Sequence, residues 1–431
     1  MILFDFVKRF KKSVKHAESK EFRDMNRIYR TDQYACECDT IVTEVTEKNG
    51  MDVISCESSV FYPEGGGQPS DTGTVSSGGR IYTVTSAHDK SLDSPVLHYT
   101  DAPAGTFRPG DKVTLAIDWD VRFTNMQRHL GEHMLSGTFH SLFGGVNKGF
   151  HMGEDYITID IDLGGRMLTD EELDLAEDMV NQAVWADLPV TVSWFDDYES
   201  SLSLPVRKQV PHEGRVSVVT VGDFEDPYDC IACCGTHPSS SGQVGLVALY
   251  KCEPNKGMNR IFFDCGRKAL EKLSSDHRML SSAAKRYSCS PADLESRLDA
   301  EAENISSLKG RISAFASYVS ESEEANILRE ISESGRHSYI YSTELLSTDE
   351  LLKLGFSVAG KASGVLLFLM QLTDRTCLLF SSGEAKCGRI VKENAPRYGG
   401  RGGGRDDNAR AVFADIKNMK AFATDVAEML E

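Results

Sequence analysis

Two histidines four residues apart, His129 and His133 in QRHLGEHMLSG, are answered about a hundred residues later by a cysteine and a histidine at the same spacing, Cys233 and His237 in CIACCGTHPSSSGQVG. On a helix, positions four apart share a face, so both imidazoles can point at one atom. The second segment contains glycine and can fold a thiolate and an imidazole toward one point, with Cys230 and Cys234 as further candidates. Each half alone has an ordinary reading: paired surface histidines, or cysteines used as small buried apolar residues. Joined, they form a borderline-soft ligand set that suits Zn²⁺. The match to the H-E-x-x-H pattern is only partial, because Glu132 precedes His133 instead of following the first histidine.

The segments around these ligands predict a mixed α+β chain of several domains. Residues 31–120 read as β-rich, with alternating runs such as DTIVTEV and VTLAID separated by turns. Within them FYPEGGGQPSDTG, residues 61–73, carries three consecutive glycines, which call for unusual backbone angles or close approach. Residues 121–266 hold a helix over about 121–143, a strand in YITIDI, and a helix capped by Thr169 and Glu172. VSVVTV, a further strand, precedes the cysteine cluster. From 267 to 320 the pattern is helical; Leu298, Ile305, Ile312 and Val319 recur every seven residues, as a coiled-coil-like arm or a packed helix would. Residues 321–431 return to mixed structure: GVLLFLMQL and TCLLFSS read as buried strands, CGRIVKEN as a helix, and GGRGGGRDDNARAVF follows. Residues 1–30 stand apart. MILFDFVKRFKKSVKH reads as a packed first helix, an amphipathic surface helix, or sequence upstream of a start at Met25.

Bulk properties narrow the function. A chain of 431 residues exceeds one ordinary core. No apolar run is long enough to span a bilayer, and eleven irregularly spaced cysteines without an export signal fit a reducing cytoplasm better than a disulfide framework. The net charge of −18 argues against a surface coated for phosphate, though a local basic patch can coexist with an acidic remainder.

Four segments in this order resemble the editing domain shared by alanyl-tRNA synthetases and free-standing alanyl-tRNA editing proteins. They are FYPEGGGQPSDTG, the H-x-x-x-H helix, KGFHMGEDYITIDI and CCGTHPSSSGQVG, and GGRGGGRDDNARA resembles the glycine signature of the DHH-associated domain that ends the synthetases. The match covers roughly residues 34–425 and looks like the long form of the free-standing protein. It implies a β-barrel-like N-terminal domain, an α+β zinc editing domain, a helical arm and an α/β DHH-associated domain. It also implies a trans-editing hydrolase that removes serine, or glycine, from mischarged alanine tRNA. His129, His133, Cys233 and His237 would hold zinc and carry the hydrolysis. Gln68, Thr158 and Gly235 would meet the substrate, with Thr158 reading the serine hydroxyl, and Arg397, Arg401 and Arg405 would contact tRNA. Only sixty residues precede Phe61, too few for an aminoacylation domain, so such a chain would not make aminoacyl-tRNA. Pro238, Ser241, Gly242 and Gln243 depart from the family pattern beside the site. Residues 291–320 or the C-terminal domain are candidate homodimer contacts, and no membrane partner is expected. Two rivals remain: a non-catalytic tRNA-binding protein with structural zinc, and a DHH-type phosphodiesterase, whose DHH triplet is missing, since Arg278 follows Asp276-His277.

Overall fold

The computed structural model describes residues 27–91, 94–208 and 213–429, so the predicted N-terminal helix lies outside the described residues. The chain divides into two compact units, residues 1–280 and 281–431.

The first unit begins with six strands, β1 (Glu37–Lys48), β2 (Met51–Cys56), β3 (Gly73–Ser77), β4 (Arg80–His88), β5 (Leu97–Pro103) and β6 (Lys112–Ile117). They close into a barrel in the order β1-β2-β5-β4-β3-β6, as the alternating pattern predicts. The turn between β1 and β2 is Asn49-Gly50, both at positive φ (54° and 77°), the conformation that matches the twist of paired strands. Inward side chains including Val42, Ile54, Phe61, Val84 and Leu115 fill the barrel.

Helix α1 (Trp119–Phe143) follows, with Asp118 accepting hydrogen bonds from the Asp120 and Val121 amides and Gly144 ending it in a left-handed conformation. From Asn125 to Phe139 every residue is buried. Around α1 lie β7 (Val146–Met152), β8 (Ile157–Asp162), α2 (Asp170–Trp185), β9 (Val190–Phe195), the single-turn α3 (Tyr198–Ser201), β10 (Val216–Gly222), β11 (Pro227–Ala232), β12 (Val247–Asn255) and β13 (Met258–Cys265). Strands β12-β13-β8-β7 form one antiparallel sheet and β11-β10-β9 another. Thr169 and Glu172 form the reciprocal cap of α2 that their spacing predicts. Leu130, Met134, Phe139, Ile157, Ile159, Val180, Val184 and Phe263 share the core. Two buried ion pairs fix α1 in place. Arg122 meets Asp71 of the glycine loop, both fully buried, and Arg128 makes two contacts to Asp264 on β13 (2.8 and 3.0 Å).

Helix α4 (Gly266–Arg286) carries the division between the units. The second unit holds α5 (Leu294–Ser334), β14 (Ser338–Thr343), α6 (Thr348–Lys361), β15 (Leu366–Gln371), β16 (Thr376–Ser381), α7 (Cys387–Asn394), β17 (Arg401–Gly404), β18 (Asn408–Val412) and α8 (Ile416–Glu428). The heptad helix continues to Ser334, beyond residue 320, because Ile327 and its neighbours Leu328 and Ile331 prolong its apolar face into a core. The sheet order is β14-β15-β16-β18-β17, with only β14 and β15 parallel. Alternate residues of β15 enter two different cores, Leu366, Phe368 and Met370 one and Leu367 and Leu369 the other. The sheet is therefore covered on both faces, as its continuous apolar runs imply. No helix among the described residues is long and apolar enough to cross a membrane.

Candidate metal centre

The four residues singled out by spacing converge. One ligand atom each from His129, His133, Cys233 and His237 lies within 4.8 Å of the others; the three histidines are buried and Cys233 is partly exposed. Helix α1 supplies the first pair, and the loop after β11 supplies the second. The Cys233 sulfur stands 3.3 Å from His129 Nε2 and 3.7 Å from His237 Nε2.

The far edges of the two imidazoles on α1 are held from behind, whereas His237 Nδ1 is buried without a partner. His129 Nδ1 lies 2.7 Å from the Gln68 oxygen. Gln68 is fully buried and also engages Thr236, its amide donating to the threonine hydroxyl (2.8 Å) and its oxygen accepting from the Thr236 amide (3.1 Å). His133 Nδ1 lies 2.9 Å from Glu132. The same carboxylate accepts from Ser136 (2.7 Å) and Asn147 (2.8 Å). The amide of His237 donates to the Gln33 side chain. An acceptor at Nδ1 keeps a proton on that nitrogen, so Nε2 is the atom that faces inward, and on His133 its lone pair is freed when the second proton leaves.

Electrostatics favour a cation in this space. Burial would raise the Cys233 thiol, but the three imidazoles bring it well below its ordinary range. Burial also opposes charge on His133, yet the thiolate and Glu132 raise it to about 10. Glu132, despite burial, is brought down to about 2, chiefly by His133. Burial holds His237 at about 4, hence neutral. His133 Nε2 is a buried nitrogen with no hydrogen-bond partner. A thiolate, inward-facing lone pairs and an orphaned buried nitrogen are what a tetrahedral N/S metal site requires. The residues fit zinc.

Gly235 is required by contact, since a Cβ there would fall on the His129 ring. In the glycine loop, a Cβ on Gly67 would stand 2.6 Å from Phe150, whose ring stacks on His129 (5.6 Å between centroids). A cavity of about 460 Å³ opens on the cluster, lined by His129, His133, Cys233, Cys234, Phe150, Trp194 and Ser217, among others.

The remaining sequence-derived positions fall in three groups. Cys230 is buried in a small core with Val216 and Val218, and Cys234 lines the cavity without joining the cluster. Gln68 braces a ligand from behind; its full burial keeps it off the cavity wall where a substrate contact would be. Thr158 does not line the cavity either: Ile157 and Ile159 beside it face the core, and strand alternation turns Thr158 to the other side of β8. The departures at Ser241 and Gln243 also lie off the cavity; Ser241 bonds the Ala183 carbonyl and Gln243 the Tyr34 hydroxyl. In the second unit Arg397, Arg401 and Arg405 are all exposed, Arg401 on the edge strand β17. The cationic lining of the cavity, Lys148, Arg207, Lys208 and Arg215, escaped sequence reasoning. Its signal is the PVRK and EGR segments, whose basic residues stand out in an acidic chain.

Residues 6–121 match the family model for class II (A) tRNA synthetases, and residues 216–262 match the second additional domain of threonyl and alanyl tRNA synthetases. The alanyl-tRNA editing protein AlaX-L of Pyrococcus horikoshii is 27% identical over 90% of this chain and 94% of its own length. The alanine–tRNA ligase of Pyrococcus abyssi is 27% identical over 95% of this chain, and that of Thermococcus kodakarensis 30% identical over 63%. The chain spans less than half of either ligase, 44% and 29%. By sequence and by motif order the chain is similar to the alanyl-tRNA editing protein along most of both chains, and along most of its own length to the Pyrococcus abyssi alanine–tRNA ligase.

Proposed function

We propose that the protein is a zinc-dependent hydrolase that deacylates mischarged alanine tRNA, with serine as its main target and glycine as the second. The observation that carries this is the four-residue cluster on the wall of a 460 Å³ cavity, in a chain that aligns with 94% of an alanyl-tRNA editing protein. His129, His133, Cys233 and His237 would hold the metal, which when bound lowers the pKa of water or polarises the ester carbonyl. The chain's own groups do the rest. Gln68 and Glu132 fix the ring orientation of two ligands, and Glu132 stays ionised with its oxygens occupied by His133, Ser136 and Asn147, so it orients and does not shuttle protons. Phe150 stacks on His129 and lines the cavity, an apolar wall that limits water around the ester.

The need for such a site is physical. An apolar pocket that accepts alanine rejects an added hydroxyl by only about a hundredfold, whereas a site that hydrogen-bonds the hydroxyl separates the two far better. Thr158 faces away from the cavity, and the polar groups that line it near the cluster are Ser217 and Asn147. Arg397, Arg401 and Arg405 would add tRNA contacts from the second unit, exposed around the edge strand β17. The eleven cysteines are all unpaired, in keeping with a cytoplasmic enzyme.

A closed set of four protein ligands favours a second reading, a structural zinc in a non-catalytic tRNA-binding protein. Partial exposure of Cys233 into the cavity argues for the enzyme. The deciding experiment incubates the protein with alanine tRNA charged with labelled serine, glycine or alanine, with and without chelator. Chelator-sensitive release of serine but not alanine is expected. No release from any of the three would leave the non-catalytic reading.

A further inference from the structure

We propose that Arg215, Lys148 and Lys208 form a clamp for the backbone phosphates of an unpaired RNA 3′ end, with Trp194 as the positioning residue that braces Arg215. The proposal rests on the hydrolase reading for the identity of its ligand.

Strand register supplies the first argument. Trp194 on β9 pairs with Ser217 on β10. Ser217 in turn pairs with Cys233: its carbonyl accepts from the Cys233 amide (2.9 Å) and its hydroxyl donates to the Cys233 carbonyl. Paired residues on neighbouring strands face the same side, and all three line the cavity. At about 4.8 Å per strand, this row places Trp194 roughly 10 Å from the metal ligand. That separation accommodates the terminal nucleotides of a chain whose last ribose carries the ester at the metal.

Charge supplies the second. The protein carries −18, yet the cavity is lined by four cations, Lys148, Arg207, Lys208 and Arg215, against the single carboxylate of Glu132. Glu132 is engaged by His133, and Arg207 by Asp229 at 2.6 Å, so these charges are compensated locally. Lys148 is exposed and joins no ion pair among the described residues. Lys208 is exposed, its ammonium 3.2 Å from the Asn147 carbonyl. The Arg215 guanidinium stands 5.1 Å from the centre of the Trp194 ring, and Arg30 stands at the same distance. A guanidinium stacked on an indole keeps its donors in a fixed plane and gives up little rotamer freedom when a phosphate arrives. Two exposed lysines near a guanidinium held on an aromatic face, a short way from an ester-cleaving centre, suit a polyanionic strand whose end is the substrate.

The test titrates a 5′-labelled, uncharged single-stranded RNA oligonucleotide ending in CCA into the full chain, by fluorescence anisotropy over a series of salt concentrations. Each phosphate contact on a single strand contributes about 0.7 to the slope of log K against log salt. The variant Lys148→Ala/Lys208→Ala is expected to lower that slope by about 1.4, with arginine at both positions restoring it, and Arg215→Ala by about 0.7. Trp194→Ala should follow Arg215→Ala, while Trp194→Phe should retain wild-type binding. An unchanged slope in both the lysine and arginine variants overturns the clamp, and wild-type behaviour of Trp194→Ala overturns the bracing role. Hydrolysis of seryl-tRNA by the wild-type protein is measured alongside. Its absence would sink the hydrolase reading, while the slopes would still decide the clamp.

Discussion

The side-chain oxygen of Gln68, in the glycine loop of the barrel, lies 2.7 Å from Nδ1 of His129 on α1. Sixty-one residues of chain separate them, and the contact makes the barrel part of the support of the histidine–cysteine cluster. Replacing Gln68 by alanine strands the Nδ1 hydrogen of His129 and two Thr236 groups. We expect zinc affinity to fall roughly 10- to 100-fold, the usual cost of losing such an outer partner. Competition with a chromogenic chelator will measure it; wild-type affinity would remove Gln68 from the site.

Gly235 should tolerate no side chain. Alanine there forces its methyl onto the His129 ring. Deacylation should drop by at least about two orders of magnitude, the scale on which an ångström of misplacement acts. Circular dichroism should stay near wild type, because the barrel and the main core lie elsewhere. Full activity would show that His129 can move without consequence.

Metal loading should displace protons. His133 holds its proton up to about pH 10 when the thiolate and Glu132 face it, and a ligand must be deprotonated to bind. Zinc uptake at pH 7 should therefore release about one proton, read by calorimetry in buffers of different ionisation enthalpy. Alanine at His129 or Cys233 should abolish both zinc retention and hydrolysis with the fold kept. Either variant retaining full activity would end the zinc assignment.

The barrel should lose stability in mild acid through His98. This ring is fully buried, 2.8 Å from the Ser59 hydroxyl and 3.1 Å from the Ile54 carbonyl, and burial lowers its pKa from 6.5 to about 4. The unfolded chain takes up the proton first, so stability is full above pH 6.5 and declines as the pH falls toward 4. Below that both states are protonated and the loss levels off, at about 3 kcal/mol. Thermal melting of His98→Gln should show a flatter profile between pH 4 and 6.5; an unchanged slope would assign the acid sensitivity to other groups.

We expect two copies to pair along α5. Ile312 and Phe315 are each 66% exposed, in a row with Leu298, Ile305 and Leu308, an apolar stripe that water disfavours. Light scattering should give a dimer mass that Ile312→Asp/Phe315→Asp reduces to that of one chain. A monomer in the wild type would discard the idea.

Local signals made much of this architecture legible. The Thr169 and Glu172 cap, the alternating barrel strands and the continuous apolar runs of β15 and β16 each declare their structure within a few residues. The convergence of His129, His133, Cys233 and His237 was legible because donor chemistry and a four-residue spacing limit the choices. Helix α1 gave a weaker signal: it is buried on nearly every side, so its polar residues Arg122, Arg128 and Glu132 face protein partners and blur its apolar pattern. Linear spacing does not say that Gln68 and Thr158 lie off the cavity wall, because a side chain's direction depends on what packs behind it. Trp194 and Arg215 belong together only through strand pairing across β9 and β10, a relation that linear spacing does not carry.

The Arg122–Asp71 pair, sealed from solvent with the Val60 carbonyl also bound to the guanidinium, bears on how such a protein can be inherited. A gene rearrangement that moved helix α1 away from the barrel would leave a buried cation without its partner, a loss on the order of 3–5 kcal/mol. That is a large part of an ordinary domain's margin. Lineages that shuffle this module should therefore carry barrel and helix as a single cassette, or have changed residues 71 and 122 together.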